Sequence, residues 1–174
     1  MKKDYQKIGV IEYKTEKHAS IFMTLNFVLF TLVGVALIIC NNLIEKNTIN
    51  TLWIVLGCFI YMIFHECIHL LFMKFFSKET FDISVKFPTI SVGSKAKFTK
   101  NQFISIALAP ATIFACILIL LVIITSPTLY LLWSILLTLN FASSGGDFYQ
   151  VIKVMKYPRN TYFEDTSLQT IIYR

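Results

Sequence analysis

The sequence predicts an all-α membrane protein of about four transmembrane helices, with a cytoplasmic β-hairpin between the second and third. Three observations predict it. Of the 174 residues, 56% are hydrophobic, above the roughly 45–50% of soluble domains. The excess lies in long uncharged runs, each near or above the ~20 residues that a helix needs to cross a bilayer. The formal net charge of +6 sits on lysines that flank these runs, and such flanks mark the cytoplasmic ends of spans. The length suits a single domain, 1–174.

The elements follow in order. Lys2, Lys3, Lys7, Lys14 and Lys17 precede the first span, 20–40, which carries no charge. That run is too long for a signal-peptide core of about 7–15 residues, so it is read as a span that stays in the chain. The second span, 50–76, carries His65-Glu66-Cys67-Ile68-His69 in its later half. The loop after it holds Lys78, Lys86, Lys95, Lys97 and Lys100. Within it, Phe81–Phe87 and Ile90–Phe98 alternate apolar and polar residues around Pro88-Thr89, the pattern of a hairpin. Ile8–Tyr13 and Ile171–Tyr173 are compatible with further short strands. The third span is 102–125. The fourth, 128–153, turns polar at Asn140-Phe-Ala-Ser-Ser-Gly-Gly-Asp147, and Lys156, Arg159 and Arg174 follow it.

Only Lys46, beside Glu45, lies in the other loops. The asymmetry predicts a multi-pass protein of the cell membrane with both termini cytoplasmic. The later ends of spans two and four then fall on one side, as a shared site requires. The basic residues form no stripe on a polar domain, so the lipid bilayer is expected as partner and nucleic acid is not. Cys40, Cys58, Cys67 and Cys116 lie in or beside apolar runs without CxxC spacing, which suggests neither disulfides nor a cysteine metal site.

Residues i and i+4 share a helix face, so His65 and His69 can aim at one metal ion. Glu66 is offset by about 100° and reaches the open side of that metal without ligating it. This is the logic of HExxH: two ligands and a carboxylate beside the attacking water. Ionisable groups in hydrocarbon cost roughly 2.5–3.5 kcal/mol each on insertion scales, and a metal offsets that cost. A hydrolytic zinc site usually has a third protein ligand. The candidates are His18, Cys58 and the carboxylates. His18 starts the first span, where solvation is the ordinary fate, and Glu164 and Asp165 lie in the polar tail. Asp147 ends an apolar span behind Gly145-Gly146. It shares a predicted helix face with Asn140 and Ser144, and by helix rise lies about as deep as the histidines, some 22–28 Å along its span.

HExxH on one span and an aspartate two spans later resembles the site-2 family of intramembrane metalloproteases, whose core is three helices. A closer resemblance is to a zincin-peptidase family of small bacterial membrane proteins. It rests on HECIHLLF, the stretch from Gln102 ending Ala-Leu-Ala-Pro110, Asn140 through Ser-Ser-Gly-Gly-Asp147, and the Lys-Tyr-Pro158 exit. The resemblance implies Zn2+ as cofactor, His65, His69 and Asp147 as ligands, and Glu66 as catalyst. The chain departs from the site-2 pattern: Phe148 follows Asp147 where Leu-Asp-Gly would stand, and there is no PDZ-like insert. The expected activity is hydrolysis of peptide bonds in membrane or membrane-associated protein substrates, with Asn140 contacting substrate backbone or oxyanion. The alternative is a non-catalytic metal-binding partner, immunity or assembly protein that keeps the constellation. Oligomeric state is not legible.

Overall fold

The computed structural model describes residues 5–12, 15–40, 50–86, 89–166 and 169–174. The loop with Glu45 and Lys46, the hairpin tip at Phe87-Pro88, and Tyr13-Lys14 lie outside these residues. Strand β1, Lys7–Ile11, leads into helix α1, Lys17–Cys40, and α2 spans Thr51–Phe76. Strands β2, Phe81–Lys86, and β3, Thr89–Thr99, precede α3, Lys100–Ile124. A 3-10 turn, Pro127–Leu129, opens α4, Tyr130–Ser143, which is followed by α5, Gly145–Met155, β4, Tyr162–Thr166, and β5, Gln169–Tyr173.

Four stretches are long and apolar enough to cross a membrane: Lys17–Cys40, Thr51–Phe76, Lys100–Ile124 and Pro127–Met155. Their outward faces keep large side chains such as Leu32, Leu52, Phe75 and Ile123 exposed. In water that surface would cost about 25 cal/mol per Å², whereas lipid tails accept it. The caps obey local rules. Asn50 Oδ1 accepts from the Leu52 N–H at the start of α2, and Thr99 with Gln102 forms a reciprocal capping box on α3.

The all-α expectation is corrected. The hairpin is part of a five-stranded antiparallel sheet of order β1-β5-β4-β3-β2. Both further segments contribute: Lys7–Ile11 forms β1, and Ile171–Tyr173 lies within β5. β1 and β3 run into the starts of α1 and α3, β2 and β4 follow the ends of α2 and α5, and β5 pairs between β1 and β4, so the sheet lies at one end of the bundle. Ile11, Met73, Val92, Phe98, Phe103, Val154, Phe163 and Ile172 form the core between sheet and helices. On the sheet's outer face Lys97 sits 4.5 and 4.6 Å from the rings of Tyr5 and Tyr173. Burial, and the hydrogen bond to Glu164, raise the Tyr173 phenol to about 12.

The fourth span is not one helix. It breaks at Ser144, whose ψ of 8° leaves the helical range. The break frees carbonyls at the end of α4, and Asn26 of α1 takes two of them: its Nδ2 lies 2.9 Å from Phe141 O and 3.2 Å from Ala142 O. In a bilayer such carbonyls need a protein partner. Gly145 suits this close approach, since a Cβ would stand 3.1 Å from Asn26 Nδ2 and 3.3 Å from the Met23 backbone and α1 would have to give by a few tenths of an ångström. At the foot of α1, Glu16 accepts from Tyr149 Oη at 2.6 Å and Lys153 Nζ at 2.9 Å. These bonds hold its carboxyl below the usual range and pin α5 to α1.

Candidate metal centre

His65 and His69 lie on one face of α2, as their spacing predicts, and both are buried. Asp147 reaches them from the first turn of α5, where the positive end of the helix favours a carboxylate. Its Oδ2 is 3.3 Å from His65 Nε2 and its Oδ1 is 3.4 Å from His69 Nε2. Among the described residues these three side chains form one group whose ligand atoms all lie within 4.8 Å of one another.

The hydrogen bonds behind the imidazoles fix which nitrogen faces the carboxylate. His69 Nδ1 is 3.0 Å from the carbonyl oxygen of Ile106 on α3. A carbonyl only accepts, so Nδ1 carries a proton and Nε2 is the nitrogen that faces the carboxylate. For His65 the chain is longer. Asn140 Nδ2 donates to Ala111 O at 2.9 Å, which turns Asn140 Oδ1 toward Tyr61. Tyr61 Oη donates its only hydrogen there at 2.8 Å. It can therefore only accept from His65 Nδ1, at 2.9 Å. Again Nε2 is the nitrogen that faces Asp147.

This arrangement tests whether a metal ion fits. Two imidazole Nε2 atoms and a carboxylate converge on one point, where either protons on the imidazoles or a single cation bridges them. Zinc bonds of about 2.0–2.1 Å at the tetrahedral angle place ligand atoms about 3.3–3.4 Å apart, and the two histidine–carboxylate separations are of that size, each to a different oxygen of Asp147. The donor set, two nitrogens and a carboxylate, is one that zinc accepts. His65, His69 and Asp147 could hold it.

Glu66 stands outside the ligand group. It lines two cavities that meet at the centre. The larger, about 460 Å³, is bounded by Met23, Glu66, His69, Phe103 and Asp147 from the bundle and by Ser91, Val92 and Phe98 from β3. The smaller, about 200 Å³, lies between Tyr61, Met62, His65 and Glu66 of α2 and Ser143, Gly146 and Asp147. The backbone N–H of Val92 is directed at the Glu66 carboxylate, so the sheet touches the centre directly.

Two other expected residues sit elsewhere. Asn140 is fully buried and lines neither cavity. Both ends of its amide are engaged, and through Tyr61 it supports His65 from behind. The break at Ser144 also separates it from Asp147, so the face predicted to carry both is not continuous. His18 is exposed at the start of α1, and neither it nor Cys58 belongs to the ligand group. Sequence reasoning missed Tyr61, although it stands four residues before His65 and thus on the same face, and missed the carbonyl of Ile106.

Comparison with known proteins identifies a family. No curated protein and no solved structure matches the chain at a significant level. The profile of one family, described as putative zincin peptidase, matches residues 58–162, from the turn of α2 before Tyr61 to the first residue of β4. That stretch is more than half of the chain and contains His65, Glu66, His69, Asn140 and Asp147, and the chain belongs to the putative zincin peptidase family.

Proposed function

We propose that the protein is a membrane-embedded zinc metallopeptidase that cleaves membrane or membrane-associated protein segments. One observation carries the reading: two histidine Nε2 atoms and the Asp147 carboxylate converge beside Glu66, at the junction of two cavities, within a bundle built for lipid. His65, His69 and Asp147 would hold the metal. When bound, it supplies a Lewis acid that lowers the pKa of water toward ~7 and polarises a carbonyl. Glu66 takes a proton from the attacking water as its oxygen adds to the scissile carbonyl carbon. Glu66 then delivers that proton to the amine as the C–N bond breaks. Tyr61 and Asn140 hold the His65 ring in register. The test is direct. Purified protein loaded with zinc should cut membrane-protein fragments, a chelator should stop the cutting, and zinc should restore it.

The orientation follows from charge. The sheet end of the bundle carries Lys7, Lys17, Lys78, Lys95, Lys97, Lys100 and Lys156, so we place it, with both termini, in the cytoplasm of a cell whose membrane the bundle spans. Lys95 is exposed on β3. In a background without the native cysteines, Lys95→Cys should resist an impermeant thiol reagent in intact cells and react once they are lysed. Efficient labelling of intact cells would invert the orientation.

Strand β3 is the element that would receive substrate. It borders the larger cavity; Thr89–Gly93 pair with β2, and the pairing with β4 begins at Ser94. A membrane segment must unwind before its peptide bond reaches Glu66, and an extended segment can add beside a strand through main-chain hydrogen bonds. Val92→Pro removes the N–H that faces Glu66. It should lower cleavage about tenfold or more while zinc stays bound. Cleavage at the wild-type rate would dismiss the strand clamp.

A further inference from the structure

Pro110 lies inside α3, a helix of 25 residues, and is fully buried. A proline there has no N–H for the carbonyl four residues back, and its ring pushes that carbonyl out of the helix. The carbonyl so freed belongs to Ile106. In a bilayer a backbone acceptor without a partner is costly, and transmembrane prolines persist where a neighbouring helix supplies one. Here the neighbour is α2, and the partner is His69, whose Nδ1 stands 3.0 Å from Ile106 O. The helix breaker and the imidazole compensate each other: the first frees an acceptor, and the second needs one to keep its proton on Nδ1.

We infer that Pro110 is a positioning residue of the metal centre. It removes one backbone donor from α3, so that the Ile106 carbonyl is available to fix the tautomer and ring angle of His69. The inference rests on the reading of His69 as a ligand. It accounts for a residue that breaks the local rule of the helix, and such breaks belong at functional sites. His65 obtains the same tautomer by another route, through Tyr61 and Asn140, so the two histidines can be told apart experimentally.

Pro110→Ala in the full-length protein is the test. Alanine restores the N–H and is the strongest helix former, so the restored donor competes with His69 for Ile106 O. Loss of an outer partner typically weakens a metal site about 10–100-fold. Zinc affinity, read by chelator competition, should fall about tenfold. In metal-free protein with 15N-labelled histidine, His69 should move from the Nδ1–H form to a mixture of tautomers, while His65 stays unchanged. Thermal unfolding shows whether packing is retained, and the tautomer is read only in folded protein. An unchanged His69 tautomer overturns the inference whatever the affinity does, and so does an affinity within twofold of wild type. A wild type that binds no zinc would sink the metal reading itself, and the tautomer alone would then decide whether Pro110 sets His69.

Discussion

Glu66→Gln will keep zinc near stoichiometric and lower peptide hydrolysis by roughly 10²- to 10⁴-fold, the usual share of a general acid–base. The substitution keeps the shape of the side chain and an oxygen for the Val92 N–H, and removes only the ability to take and return a proton. Glu66 follows His65 by one residue, so its side chain is rotated about 100° from the ligand face. It opens onto both cavities and stands apart from the group of His65, His69 and Asp147. Metal analysis and mass spectrometry of cleaved fragments read the two effects separately. Loss of zinc along with activity would make Glu66 a ligand. Unchanged cleavage would require another base. Zinc bound by a wild type that cuts nothing would favour the non-catalytic partner.

Much of this architecture was legible because its signals are local. A bilayer demands length and apolarity, and the four runs declare both; the observed limits differ from the expected ones by only a few residues. The i, i+4 histidines and the aspartate behind two glycines likewise speak within one turn of helix. The sheet was less legible. β1 pairs with β5, Lys7 opposite Tyr173, across nearly the whole chain, and alternation in five residues cannot name so distant a partner. Only the hairpin, with its strands adjacent in sequence, stood out. The break at Ser144 was hidden for a different reason. Its Ser-Ser-Gly-Gly signal was read as a polar face on a continuous helix, whereas Asn26, more than a hundred residues away, is what makes an interrupted helix tolerable in lipid. The contacts of Asn140 are non-local for the same cause: its partners, Tyr61 and Ala111, come from two other helices.

Asp147→Ala will lower zinc affinity by more than the roughly 10–100-fold that follows loss of an outer-shell partner, and His18→Ala will leave it nearly unchanged. Two histidines leave a hydrolytic zinc site one protein ligand short. The carboxylate of Asp147 is the group the structure brings to both Nε2 atoms, at 3.3 and 3.4 Å, and the placement is well supported. Gly145 lets α1 close over the break, Asn26 satisfies the freed carbonyls, and Glu16 ties the next turns of α5 to α1. His18 has none of this, being exposed two residues past Glu16 at the foot of α1. Asp147→Asn separates charge from shape. It fills the same space, keeps one oxygen, and should bind zinc between wild type and Asp147→Ala. Folding should survive all three changes, since without the carboxylate His65 and His69 keep their Nδ1 hydrogen bonds to Tyr61 and Ile106. Metal analysis of the folded variants decides the matter. Full zinc in Asp147→Ala with loss in His18→Ala would move the third ligand to α1 and require α1 to approach α2 more closely than it does in this structure.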